Sequence, residues 1–466
     1  MPAKTNKQPA VVVIGGGPGG YVAAIEAARE GAAVTIVEKM ALGGTCVNQG
    51  CVPTKALIRS AQLYDEMTRA EEYGISVREI RFDYKQMAAR KNRVVEQLRN
   101  GVAYLMKKNK ITVIEATATI VAPGQVRLSG PRSGEITADH IIIATGSVPG
   151  RIPVPGADLA NVINSDQALE LDRLPQSIII IGGGVIGLEF AHIYRRLNVE
   201  VSVIEMLQQL LPAEDPAVST ALEKVTRRQG ISVYTGTTVE QILTGANGQI
   251  VVRIRHGANE LTLEAEKALV ATGRKPYLNN LGLEQLGIQT DQGRIVVDNG
   301  MRTNVPGIYA IGDAVGGLML AHKAMAEGRC ASRNAIGRSA TMDYKAIPRC
   351  IWTAPEVASV GLTESEANQQ YPRVCTADFP FSASGKAKIL GATQGLVKIV
   401  AAADTEEVLG VHMLGPHATE LIAEAVLGLN LEVTLQELGE TIHAHPTLSE
   451  TVMESALAAG GHPLHL

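Results

Sequence analysis

Aromatic side chains are scarce in this chain, 3% of 466 residues, with a single tryptophan, Trp352. Ring platforms for stacking bases or sugars are correspondingly few. Cysteine is also scarce, and its count of five is odd, which argues against a scaffold of structural disulfides. No uninterrupted apolar run approaches the roughly 18 residues of a membrane span. The segment from Met1 to Ala10 is polar, has no apolar signal core and leads straight into a strand. The expectation is a cytoplasmic protein without membrane association. Basic charge is not in excess either: 43 Lys and Arg against 47 Asp and Glu leave a net charge of −4. No nucleic-acid footprint is expected, and Lys107-Lys108-Asn109-Lys110 reads as a solvated helix end.

Glycine (47) and proline (21) are plentiful, and 45% of the residues are apolar. That is the profile of a globular protein rich in turns, long enough for about three domains of about 150 residues. One pattern occurs twice. Ala10 to Ile14 is an apolar strand, followed by Gly15-Gly16-Gly17-Pro18-Gly19-Gly20, an alanine-rich helix, and a second strand that ends in Glu38. Further along, Ser177 to Ile181 leads into Gly182-Gly183-Gly184-Val185-Ile186-Gly187, a helix, and a second strand that ends in Glu205. Two more apolar strands run into Ala144-Thr145-Gly146 and Ala271-Thr272-Gly273, each with a proline-containing linker behind it. Such linkers suit chain crossings between domains. Beyond about Ala346 the glycine turns stop. This divides the chain into a nucleotide-binding part at 1–148, a second at 149–274, a return segment at 275–345 and an α+β domain at 346–466.

In a Gly-x-Gly-x-x-Gly turn the first glycine makes the tight turn. The second lets a pyrophosphate approach the backbone, and the third lets helix and strand pack closely. Gly15, Gly17 and Gly20 occupy these places in the first unit, with Glu38 placed for ribose hydroxyls. Gly182, Gly184 and Gly187 occupy them in the second, with Glu205 as the acid. A glycine string alone also fits a plain tight turn; here strand, helix, second strand and terminal acid all fall in register. A carboxylate at Glu205 repels a 2′-phosphate. The residues after it, Met206, Leu207, Gln208 and Gln209, include no arginine to hold one. NAD is favoured over NADP.

Between the first unit and the rest lies Gly43-Gly44-Thr45-Cys46-Val47-Asn48-Gln49-Gly50-Cys51-Val52-Pro53-Thr54-Lys55. Two thiols so spaced at the head of a helix can close a small, labile ring suited to a catalytic cycle. Ordinary buried thiols or half a zinc site are the alternatives. Zinc needs more ligands, and Cys330, Cys350 and Cys375 lie singly and far along the chain; no metal is expected. Two nucleotide sites and one redox-ready pair suggest an electron relay. Near the end, His443 and His445 each read, on their own, as surface or capping residues.

Over nearly its whole length the chain resembles the flavin-dependent pyridine nucleotide–disulfide oxidoreductases, in particular the branch that oxidises dihydrolipoyl groups. The resemblance rests on the two glycine turns, the segment Gly43 to Lys55, Ala144 to Gly146, Ala271 to Arg274, Gly312-Asp313, and His443-Ala444-His445-Pro446-Thr447-Leu448-Ser449-Glu450. It implies two Rossmann-like domains, for FAD and NAD, and a C-terminal α+β dimerisation domain. It implies that Cys46 exchanges with substrate and that Cys51 faces the flavin. Lys55, paired with Glu189, would lie near the flavin, and Asp313 along its ribityl chain. Thr145, Gly146 and Gly273 would line the cofactor sites. His445, oriented by Glu450, would be the acid–base group, reaching the disulfide of the other copy in a homodimer. The implied reaction oxidises protein-bound dihydrolipoyl groups and reduces NAD, within 2-oxoacid dehydrogenase complexes or the glycine cleavage system. The partner would be a lipoyl-bearing acyltransferase or glycine cleavage carrier protein. Another flavin disulfide reductase, or a non-catalytic flavoprotein scaffold, is the rival. Val185 departs from the pattern, standing where several relatives carry an aromatic.

Overall fold

The computed structural model describes residues 8–466, so most of the polar start discussed above lies outside the described residues. The chain divides into two compact units. One comprises Met1–Leu57, Asp83–Gly150 and Arg274–Asp343; the other comprises Ile58–Phe82, Arg151–Gly273 and Tyr344–Leu466.

The first unit is built on a five-stranded parallel sheet. Its spatial order is Ile308–Ala310, His140–Ile143, Ala10–Ile14, Ala33–Glu38, Thr112–Glu115. Val11 to Ile14 and Ile141 to Ile143 are buried throughout. That is why they read as unbroken apolar runs rather than alternating ones: both faces of this parallel sheet are covered, Val11, Val13 and Ile142 by the alanine face of Pro18–Arg29, and Val12, Ile14, Ile141 and Ile143 by Ala118, Ile120, Val126 and Leu128. The helix Pro18–Arg29 starts with proline in its first turn, where a missing N–H costs nothing, and lays Ala23, Ala24 and Ala27 on the sheet.

The second unit contains the same plan. Its parallel sheet has the order Ser232–Tyr234, Glu200–Ile204, Ser177–Ile181, Lys267–Val270, Val162–Asn164. In both sheets the strand before the glycine turn is flanked by the acid-ending strand on one side. On the other side lies the strand that runs into Ala-Thr-Gly. The duplication extends further than the glycine turns indicated. Each unit also carries a three-stranded antiparallel meander: Thr117–Ala122, Gln125–Ser129 and Gly134–Thr137 in the first, Thr237–Thr244, Ile250–His256 and Asn259–Ala265 in the second. The two proline-containing linkers pair with one another, Ser147–Pro149 antiparallel to Arg274–Pro276.

The C-terminal part of the second unit is a five-stranded antiparallel sheet in the order Arg349–Ile351, Glu356–Gly361, Val408–Gly415, Leu396–Ala402, Val374–Pro380. The helices Ala418–Asn430 and Glu450–Ala459 contribute Ile422, Ala425, Val452 and Ala456 to a core with Val397, Ile399, Val411 and Met413. The fold is thus α/β with two Rossmann-like sheets and a C-terminal α+β domain.

Candidate active site

Packing demands the outer glycines of each turn but not the middle one. A Cβ on Gly15, at φ +111°, would lie 2.2 Å from the Ala144 carbonyl oxygen, and one on Gly20 would lie 2.0 Å from the Gly15 oxygen. Gly182 (φ +116°) and Gly187 repeat this, at 2.5 Å from the Ala271 oxygen and 2.0 Å from the Gly182 oxygen. Gly17 (φ −71°) and Gly184 (φ −80°) have backbones that any residue adopts. A Cβ on Gly17 would meet nothing nearer than Gly44 Cα at 3.8 Å, and one on Gly184 nothing within 4 Å. The space kept clear there lies over a helix N-terminus, where backbone N–H groups attract a phosphate. The residues fit a dinucleotide in both places.

The acids behave alike. Gly16 N–H donates to Glu38 Oε2 at 2.6 Å and Met40 N–H to Oε1 at 2.8 Å. Gly183 N–H donates to Glu205 Oε2 at 2.7 Å and Leu207 N–H to Oε1 at 2.8 Å. Each carboxylate is held rigid against its turn, with lone pairs left for ribose hydroxyls. Thr145 Oγ1 is buried without a hydrogen-bond partner among the described residues. An unmet hydroxyl costs about 1–3 kcal/mol, which suits an acceptor or donor supplied by the cofactor. Gly146 and Gly273 both adopt positive φ, +71° and +104°.

Cys46 lies in the short helix Gly44–Gln49, and Cys51 is the first residue of the helix Cys51–Thr68. The short helix is seated on the first glycine turn. Gly43 N–H donates to the Gly16 oxygen at 2.8 Å. A Cβ on Gly44 (φ +55°) would lie 2.5 Å from Gly17 Cα. Asn48 ties the segment down, donating to the Gly44 and Leu42 oxygens at 2.9 and 3.1 Å and accepting from Arg99 at 2.9 Å. Both cysteines are thiols, Cys46 half-buried and Cys51 exposed. The Cys46 thiol is pushed well above the ordinary thiol range, chiefly by its hydrogen bond with the Cys51 side chain, then by burial and the Cys51 charge. The Lys55 ammonium works in the opposite direction, and the Asp313 carboxylate adds to the rise. Four residues that the sequence placed far apart or gave separate tasks therefore share one electrostatic site. Cys51, at the positive end of a helix dipole, is placed to carry the negative charge.

Sequence reasoning missed Ser147 and Tyr21, and named Arg274 only as part of a shared motif without a role. Ser147 Oγ donates to Asp313 Oδ2 at 2.5 Å and accepts from Arg274 Nε at 2.8 Å. Ser147 and Arg274 are the residues that directly follow the two Ala-Thr-Gly motifs, a shared position that could have flagged them. Tyr21 was also overlooked: burial pushes its phenol up, and the Cys46 charge pushes it further.

In the second unit, Glu189 is buried on the helix Val185–Arg196 and accepts from the Trp352 N–H at 3.2 Å. Val185, first residue of that helix, is 42% exposed. His445 Nδ1 lies 2.8 Å from Glu450 Oε1, and Thr447 N–H donates to Glu450 Oε2 at 2.7 Å. Burial works to raise the Glu450 carboxyl, but the Thr447 N–H and the His445 imidazole outweigh it and hold it below the usual range. His443 is engaged elsewhere, with Nε2 2.7 Å from Glu424 Oε1 and Nδ1 2.8 Å from the Thr441 oxygen.

The sequence profile of the pyridine nucleotide-disulphide oxidoreductases matches residues 9–328, and that of their dimerisation domain matches residues 347–456. The chain belongs to that family. It is 43% identical to a dihydrolipoyl dehydrogenase of Bacillus subtilis (strain 168), covering 98% of each chain. It is 44% identical to the dihydrolipoyl dehydrogenase of Chlamydia pneumoniae, covering 97% of each. Among solved structures it is similar to LpdA of Mycobacterium tuberculosis, with a TM-score of 0.89 at 29% identity over 97% of this chain and 99% of that one. It is also similar to RclA of Escherichia coli, an HOCl-induced flavoprotein disulfide reductase, with a TM-score of 0.85 at 28% identity and the same coverage. The protein is accordingly an oxidoreductase whose family uses FAD and NAD. The dimerisation-domain match supports a homodimer. Among the described residues no helix is long and apolar enough to cross a membrane.

Proposed function

We propose that this flavoenzyme oxidises protein-bound dihydrolipoyl groups and reduces NAD, in the manner of the relatives named dihydrolipoyl dehydrogenase. The observation that carries the reading is the seating of the Cys46 helix on Gly17, which sets a dithiol pair directly against the first nucleotide turn. In this reading Gly15, Gly17, Gly20, Glu38, Thr145, Gly146 and Asp313 hold FAD. Gly182, Gly184, Gly187, Glu205 and Gly273 hold NAD. Lys55 and Glu189 are the two charged residues that the family resemblance assigns to the flavin. Bound FAD and NAD supply the hydride chemistry that takes the two electrons from the reduced cysteines.

The chain's own residues run the thiol chemistry. His445 accepts the proton of one dihydrolipoyl thiol, and the thiolate attacks Cys46 of the Cys46–Cys51 disulfide. The Cys46–Cys51 bond breaks, and Cys51 leaves as a thiolate at the head of its helix. The second substrate sulfur loses its proton and attacks the mixed disulfide. Oxidised lipoyl group departs and Cys46 regains a proton. The balance is one dithiol oxidised for one disulfide reduced. His445 acts across the homodimer, on the cysteines of the other copy. The lipoyl arm belongs to an acyltransferase or glycine cleavage carrier protein in a reducing compartment, the cytoplasm.

The test compares NADH-driven reduction of lipoamide, glutathione disulfide and other disulfides by the purified yellow protein. Lipoamide is expected to be reduced fastest, and Cys46→Ser and Cys51→Ser to abolish that reduction while FAD stays bound. Preference for another disulfide would assign a different substrate. FAD binding with neither half-reaction would make the protein a scaffold.

A further inference from the structure

We propose that Arg274 is a positioning residue for the cysteine pair, acting through Ser147 on the charge of Asp313. The proposal rests on the reading that Cys46 and Cys51 are the redox pair. Arg274 Nε donates to Ser147 Oγ at 2.8 Å, and one of its terminal nitrogens donates to the Ser147 carbonyl oxygen at 2.9 Å. One guanidinium fork thus grips both the side chain and the backbone of a buried serine, a grip a lysine cannot reproduce. The same terminal nitrogen reaches Thr45 Oγ1, beside Cys46, at 3.5 Å.

Bond direction in this chain is forced. A guanidinium has no acceptor, so Ser147 Oγ must accept from it. The single hydroxyl proton is then left for Asp313 Oδ2, 2.5 Å away. Each bond polarises the next, and the positive charge of Arg274 is felt at the carboxylate. The backbone of the Asp313 turn does not need this support. Glu327, fully buried, accepts from the Gly312 N–H at 2.7 Å and pairs with Lys323 at 3.0 Å. Lys323 in turn donates to the Gly316 oxygen at 2.8 Å. With the turn locked from below, Arg274 sets the direction of the Asp313 side chain and supplies the opposite charge at the far end of the hydrogen-bonded link.

That charge matters because the carboxylate opposes ionisation of Cys46. Among the described residues, the charged and titratable groups around Cys46 are Cys51 and Lys55 from the following helix, Tyr21 from the helix Pro18–Arg29, Asp313 from its turn and Arg274 beyond Thr45, and in the dimer the other copy's His445 joins them. Of these, Lys55 favours a thiolate and Asp313 disfavours it. Compensating Asp313 through Ser147 leaves the balance with Lys55.

The experiment reduces the FAD-loaded dimer and measures iodoacetamide alkylation of Cys46 and Cys51 against pH by mass spectrometry. Arg274→Met is expected to raise the pH midpoint of alkylation by about one unit. Ser147→Ala is expected to move it in the same direction, and Arg274→Lys to recover part of the shift. In an Asp313→Asn background Arg274→Met is expected to cause no further shift, as two changes acting through one group must. An unchanged midpoint in Arg274→Met, or a full shift that persists in the Asp313→Asn background, would overturn the proposal. Should Arg274→Met fail to fold, an unchanged midpoint in Ser147→Ala overturns it equally. Loss of the functional reading looks different: wild-type protein without lipoamide activity, its alkylation profile intact.

Discussion

Glu450 holds His445 with one carboxylate oxygen, at 2.8 Å from Nδ1, and the Thr447 N–H with the other, at 2.7 Å. Both oxygens are committed, so the imidazole is fixed in orientation and the tautomer with its proton on Nδ1 is favoured. Nε2 is left as the basic nitrogen. His445→Gln should therefore slow lipoamide turnover by about 10²–10⁴-fold, the usual span for a general acid–base group. Glu450→Gln should fall between it and wild type. Stopped-flow reduction of the flavin by NADH should be unchanged in both. Equal lipoamide turnover in Glu450→Gln and wild type would remove the orienting role. Because the Glu450 carboxyl is held low, its grip is complete above the ordinary carboxylate pKa. It is lost only as pH falls through the lowered value.

The glycine turns separate folding from binding. Gly15→Ala forces a Cβ to 2.2 Å from a carbonyl oxygen at φ +111° and should lower stability by about 1–3 kcal/mol even without cofactor. Gly17→Ala meets no such clash. Its apoprotein should melt like wild type, while FAD affinity drops at least tenfold. Gly184→Ala should weaken NADH binding and leave FAD in place. Thermal melts with and without FAD, beside NADH titrations, distinguish the three; an apo Gly17→Ala protein as unstable as Gly15→Ala would refute the distinction.

Much of this was legible in the chain because a doubly covered parallel strand, a glycine turn and a terminal acid each leave a local mark. The meanders left a weaker one: Gln125–Ser129 and Ile250–His256 alternate buried and open positions, which marks a strand but not the sheet it packs on, and in Asn259–Ala265 only Ala265 is fully buried. Contacts such as Ser147 with Asp313, 166 residues apart, are set by how two crossing linkers pair and have no local signature. The pairing of Arg274–Pro276 with Ser147–Pro149 brings them together. Sequence could name Asp313 but not what holds it.

Cofactor choice should turn on Glu205. Its two oxygens are locked by the Gly183 and Leu207 N–H groups, so it cannot swing aside for a 2′-phosphate. Glu205→Gln is expected to raise the KM for NADH about tenfold, the loss of roughly 1.4 kcal/mol of charge-assisted hydrogen bonding. Adding Met206→Arg, at an exposed side chain, should bring NADPH within reach. If Glu205→Gln leaves the NADH KM unaltered, the carboxylate does not hold the ribose.

The stability of the second unit should depend on a buried charge network that catalysis does not use. Asp215 caps the helix Pro216–Arg228 by accepting from Ala217 N–H at 2.9 Å, and it pairs with Lys398 at 3.0 Å. Lys398 also meets Glu364 at 2.6 Å, and beside them Glu214 binds Arg349 at 2.8 Å. Burial works to raise the Asp215 carboxyl, but the Ala217 N–H and Lys398 outweigh it and hold it below its usual value. Burial likewise works to lower Lys398, and its two carboxylate partners outweigh that. The depressed carboxyl contributes stability that is full above the unfolded pKa and is lost as pH falls through the folded one. Asp215→Asn removes a charge and leaves Lys398 and Glu364 to each other, which should cost about 3–5 kcal/mol at neutral pH. The variant should also lose less stability than wild type between neutral and acid pH, having one fewer carboxylate to protonate. Asp215→Asn combined with Lys398→Met should recover part of the loss, because the ammonium that has lost one of its two carboxylate partners is gone. Urea unfolding at neutral and acid pH reads all three, and a double variant no more stable than Asp215→Asn would show that the loss of the Lys398 partner is not what destabilises Asp215→Asn.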